Sequence, residues 1–151
     1  MIVNLEIVSD VQDIGRRDFT VADKTLVNPT NPNCIVDGEF LSLNMDYQLV
    51  RSINSVLGFA VFAEKGRFDV QAIGKLTVLY YKPYEADTRI FSTSGLTLGG
   101  PLAIATGIQP LSDGVNRSGL VAAPGGSIVL GYVTRMPANN GGRLRFLKTL
   151  G

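Results

Sequence analysis

Histidine and tryptophan are absent from this 151-residue chain, and cysteine occurs once, as Cys34. Without histidine there is no imidazole to activate a serine or cysteine nucleophile, to ligate a metal or to carry protons near neutral pH. A lone cysteine cannot close a disulfide within the chain, so a disulfide-stabilised secreted fold is excluded, and zinc and iron–sulfur ligation within one chain go with it. No D-x-D-x-D-G loop is present for calcium, and no G-x-S-x-G elbow for a nucleophilic serine. Charge is also sparse, at 18% of residues against about a quarter in an average soluble domain. No apolar run approaches the ~20 residues that span a bilayer. The opening MIVNLEIVSD has no basic segment followed by an apolar one, so no secretory signal is read there. The expectation from these gaps is a non-enzymatic protein with no cofactor, metal or membrane contact, made in a reducing cytoplasm.

What the chain does contain is 17 glycines and 45% hydrophobic residues, with a mean hydropathy of +0.19. The glycines separate short apolar runs of strand length, and no long amphipathic helix is read. Residues 39–45 (EFLSLNM) place Leu41, Leu43 and Met45 on one face, and residues 73–82 (IGKLTVLYYK) do the same with Leu76, Val78 and Tyr80 before Pro83 stops the run. Two runs near the end, SIVLGYVTRM and RLRFLKTL, are joined by Asn139-Asn140-Gly141-Gly142. Alternation on either side of Asn/Gly turn chemistry predicts an antiparallel hairpin, with Leu144 and Phe146 facing the core and Arg143 and Arg145 outside. Helix, if present, is expected only around residues 46–56. The fold class that follows is all-β, an antiparallel sandwich or barrel.

Residues 9–33 read differently. They are polar and broken by Gly15, Pro29 and Pro32, and NPTNPN at 28–33 continues neither a helix nor a central strand. We read residues 1–36 as an N-terminal strand followed by an extended arm, and residues 37–151 as a β domain. Arg16, Arg17, Pro29 and Pro32 are the candidate arm contacts. Residues 1–37 carry a net charge of −3 and residues 113–151 a net +4, within a total of +1. Such polarity favours contact between the two ends, in one chain or between copies.

The low charge content predicts a surface partly covered by another subunit. Ala103, Ala105 and Gly107 form a small-residue face on the strand around residues 102–108 and are the candidate subunit contacts for a dimer or trimer. Two other chemistries compete with this reading. A trimeric all-β nucleotide hydrolase of the dUTPase type lacks its glycine-rich C-terminal motif here, since the tail is NNGGRLRFLKTLG. A single-stranded nucleic-acid-binding barrel of the OB type needs a basic groove with stacking rings. Tyr80, Tyr81, Tyr84 and Tyr132 provide rings and Arg143 and Arg145 charge, but the net charge near zero makes nucleic acid an unfavoured partner.

The polar arm at 9–33, the β domain from about Asp37 and the closing hairpin at 127–150 together resemble a tailed-bacteriophage capsid decoration (cement) protein. That resemblance implies a homo-oligomeric virion protein on the capsid exterior, made in the host cytoplasm, with the major capsid protein as partner and no catalytic residues. The alternatives are another virion component, such as a head fibre or tail accessory protein, and the OB-like module.

Overall fold

The computed structural model describes residues 4–8, 15–28, 30–36, 38–51, 61–63, 74–81, 83–138 and 142–149. The described residues of the chain are nearly all β, and the pairings between its strands are antiparallel, with two isolated parallel bridges. Its strands are β1 (Leu5–Ile7), β2 (Gly15–Thr20), β3 (Phe40–Leu43), β4 (Leu49–Val50), β5 (Val61–Ala63), β6 (Lys75–Tyr81), β7 (Tyr84–Thr88), β8 (Pro101–Ile108), β9 (Arg117–Ala122), β10 (Gly131–Arg135) and β11 (Leu144–Lys148). Among the described residues the only helix is a 3-10 turn at Lys24–Val27, started by Asp23, whose carboxylate accepts from the Thr25 amide at 3.0 Å. The helix expected around residues 46–56 is not formed over its described part. Asn44 instead holds a tight turn by accepting from the Asp46 and Gln48 amides, and β4 follows.

The strands form two sheets, ordered β1-β7-β11-β10-β8-β9 and β2-β6-β5-β3-β4. Each curls back on itself. In the six-stranded sheet the chain beyond β7 runs beside β9, with the Leu120 amide donating to Ile90 O at 3.0 Å and the Ser92 amide to Leu120 O at 2.9 Å. In the five-stranded sheet the chain leaving β2 meets β4, with the Ala22 amide donating to Leu49 O at 3.1 Å. These contacts close each sheet into a barrel and, among the described residues, leave β1 as an open edge of the first.

Each barrel has its own core. Leu5, Tyr84, Ala86, Leu102, Leu120, Leu130, Val133, Leu144 and Phe146 fill the first, and Phe19, Val21, Val27, Ile35, Leu41, Leu43, Leu49, Leu76 and Val78 the second. Strand β3 joins them. All four of its residues are buried, because Phe40 projects into the first core, edge-on to Phe146 at 5.8 Å, while Leu41 and Leu43 project into the second. The chain passes from the first barrel to the second between β1 and β2 and returns between β6 and β7.

Residues 9–33, read from the sequence as an extended arm, are built into the second barrel over part of their described length. Gly15–Thr20 pairs with β6 along its full length, and Phe19, Val21 and Val27 are buried. These side chains find a common interior only once β6 and β4 lie alongside, so local spacing does not reveal it. Arg16 and Arg17 sit on β2 opposite Leu79 and Val78. Pro32 is exposed in a turn set by Asn31, whose side chain accepts from the Asn33 amide at 2.9 Å, and Pro29 lies outside the described residues.

The predicted closing hairpin is present, with Leu144 and Phe146 fully buried and Arg145 on the outside. Gly131 of β10 leaves no room for a side chain against β11: a Cβ there would fall 2.0 Å from Leu147 O and 3.0 Å from Lys148 Cα. These are backbone atoms that cannot swing away. Gly131→Ala is therefore expected to cost about 3 kcal/mol, read as a lowered urea midpoint. An unchanged midpoint would mean that the strands separate there without penalty.

Candidate functional site

The outer face of the six-stranded sheet carries two rows of side chains at right angles to the strands. The pairing register places Glu6 of β1 beside Asp87 of β7, Asp87 beside Arg145 of β11, and Arg145 beside Arg135 of β10. Across the sheet, the row is acid, acid, base, base. Arg145 grips Asp87 with two hydrogen bonds, Nε to Oδ1 at 2.8 Å and Nη2 to Oδ2 at 3.1 Å, and Arg135 reaches Asp87 at 3.4 Å. The Arg145 hydrogen bond holds the Asp87 carboxyl below the ordinary carboxylate range and raises the Arg145 guanidinium in return. Arg143 lies 3.6 Å from Glu6, so the acidic start and the basic end of the sequence meet within one chain. The outermost members, Glu6 and Arg135, have side chains 67% and 56% exposed.

The neighbouring row, two residues away on β1, β7 and β11 and three on β10 where the register shifts, is mostly apolar. Val8, whose amide donates to Glu85 O, is followed across the sheet by Glu85, Leu147, Tyr132 and Pro101. Val8, Leu147 and Tyr132 are 37%, 38% and 43% exposed, and Pro101 is exposed. Exposed apolar side chains thus gather on one sheet face next to a row of ion pairs.

Glu39 and Lys148, like Arg117, are buried charged groups that stand apart from this face. Glu39, at 0% exposure, bonds through Oε1 to Arg51 Nε, accepts from Arg51 Nη2 at 3.0 Å, and accepts from the Val36 and Ser118 amides, each at 3.2 Å. Arg51 also donates to Asn33 O and Cys34 O. This cluster ties the loop before β3, the end of β4 and strand β9 together, and so ties one barrel to the other. Lys148, at 1% exposure, points into the first barrel with Leu144 and Phe146. Its Nζ lies 5.4 Å from the centre of the Tyr84 ring. Burial lowers the Lys148 ammonium to about 8 and raises the Tyr84 hydroxyl well above its usual value. Tyr84 is thus a core ring, which removes it from any exposed stacking surface, while Tyr132 stays on the outer face.

A cleft of about 450 Å³ opens at the far end of β7, lined by Asn4, Arg89, Phe91, Thr93, Leu111 and Ser112 among others. Among the described residues there is no group of three or more metal-ligating side chains, and no helix is long and apolar enough to cross a membrane.

The structure separates the candidate subunit contacts read from the sequence. Ala103 is buried within its own chain, Ala105 is half-buried and Gly107 is exposed. The register of β8 against β9 shifts between Ala105 and Ile108, and Gly107 takes a φ of +75° there. A bulge at this point turns the strand, so the three residues do not form one flat stripe. Sequence reading missed the two outer rows. Their members alternate with core residues along each strand, as Arg145 and Leu147 do with Leu144, Phe146 and Lys148, but which strands lie side by side is not encoded locally.

No family model, no curated protein and no solved structure matches this chain.

Proposed function

We propose that this protein is a non-enzymatic virion structural protein that binds the outside of an expanded bacteriophage capsid, as part of a homo-oligomer, and stabilises the shell. The observation that carries this reading is the outer face of the six-stranded sheet, where exposed Val8, Leu147 and Tyr132 lie beside a fixed row of ion pairs. A broad, rigid face of this kind suits docking on a flat protein surface better than enclosing a small substrate. The body behind it is rigid because two closed barrels with separate cores are locked together by Glu39 and Arg51. The major capsid protein is the partner that this reading assigns.

Stabilisation then follows from mass action. A subunit that binds only the expanded lattice lowers the free energy of that state at every site it occupies. The test is co-sedimentation of the purified protein with expanded and unexpanded heads. Retention on expanded heads, together with a higher temperature of shell disruption, is the expected result. Retention on tails alone, on single-stranded DNA alone or on nothing overturns the reading.

A further inference from the structure

We propose that the outer face of the six-stranded sheet pairs with the same face of a second copy, across a two-fold axis parallel to the strands and passing between β7 and β11. This contact gives a surface and a symmetry to the self-association in the preceding reading, and does not depend on the capsid as partner.

The order of charges selects the contact. Across β1, β7, β11 and β10 the row runs Glu6, Asp87, Arg145, Arg135. An isologous contact brings a patch against itself, so the patch must complement its own rotated image. Rotation about an axis parallel to the strands exchanges the left and right halves of the row and keeps each row at its own height. Glu6 of one copy then faces Arg135 of the other, and Asp87 faces Arg145. The same rotation sets Val8 opposite Tyr132 in the adjacent row, joining two exposed apolar side chains. Rotation about an axis perpendicular to the strands and running along this row keeps the halves in place and stacks acids on acids, which is repulsive. Of these two axes, the first is the one that sets acids against bases in this row, while in the adjacent row it also sets Glu85 against Leu147. Aligned packing of two sheets, with their strands within about 30° of parallel, is the geometry in which facing rows interdigitate.

The outer members are suitable probes because both are well exposed and neither is in the core. Arg135→Glu gives a chain with acids at both ends of the row, and Glu6→Arg a chain with bases at both ends. Sedimentation velocity across a concentration series is measured for the native protein, for each variant and for an equimolar mixture. Native protein is expected to move from monomer to dimer as concentration rises, and each variant alone to associate roughly tenfold more weakly. The mixture is expected to recover native-like dimerisation. In the mixed pair the retained Glu6 of one variant meets the retained Arg135 of the other, and the introduced acid meets the introduced base. Thermal melting of the separate variants checks that each has folded. A native protein that stays monomeric overturns self-association altogether. A native dimer unaffected by either substitution, or a mixture that associates no better than its components, overturns this face while leaving self-association in place.

Discussion

Replacing Lys148 by methionine is expected to raise stability by about 2 kcal/mol at pH 7, a gain of roughly 5 °C in melting temperature for a chain of this size. The ammonium sits inside a barrel against Leu144, Phe146 and the ring of Tyr84, where water cannot solvate it. Its pKa is lowered to about 8 from 10.5 by that desolvation. Such a shift corresponds to a penalty on the order of 3 kcal/mol for the charged form, and the favourable ring contact that methionine gives up offsets about 1 kcal/mol. The pH dependence has a definite sign. Below pH 8 both folded and unfolded chains hold the proton, so the folded state carries the whole penalty. Between 8 and 10.5 the folded chain releases it first, and the native protein gains stability as pH rises. Above 10.5 neither state is charged. The advantage of Lys148→Met should therefore be largest below pH 8 and shrink through that window. Comparing the two proteins at each pH removes most of the contribution of other titrating groups. Denaturation curves of equal midpoint at about pH 7, or a difference independent of pH, would rule out a desolvated ammonium.

The opposite effect, and a larger one, is expected at Glu39. Its carboxylate is fully buried and holds Arg51 and the Val36 and Ser118 amides at once. Glu39→Ala leaves the guanidinium and both amides without that acceptor and is expected to cost about 4 kcal/mol. That is a large share of the ~5–15 kcal/mol by which a domain is stable. Arg51→Met leaves a buried carboxylate without its cation and should cost a similar amount. Because both residues belong to one network, the double variant should lose much less than the two losses together. Urea denaturation of the four proteins provides the cycle. Additive losses, or a loss below about 1 kcal/mol in either single variant, would show that the barrels are held together by apolar contact alone.

Lys148 and Glu39 illustrate how differently legible the chain is at different levels. Alternation along 144–148 marks position 148 as inward-facing, yet nothing local says that the tip of a lysine there stays dry. Glu39 sits beside Asp37-Gly38 and looks like a solvated turn residue. Its partners Arg51 and Ser118 are 12 and 79 positions away, so only the fold makes it a buried anchor. Arg16 and Arg17 look like part of an arm for the same reason: the strand that covers β2 is β6, far later in the chain.

The sequence by itself determined the fold class, the closing hairpin and the inward placement of Leu144 and Phe146. These depend on side-chain alternation and turn chemistry, which act over neighbouring residues. Tertiary structure alone decided the pairing order of the strands. That order divides the chain into two barrels, incorporates residues 15–20 into one of them, and lines up Glu6, Asp87, Arg145 and Arg135 in a single row. Strand order is set by how the apolar faces of distant segments fit together into closed cores, and no short window of sequence contains both partners of such a contact.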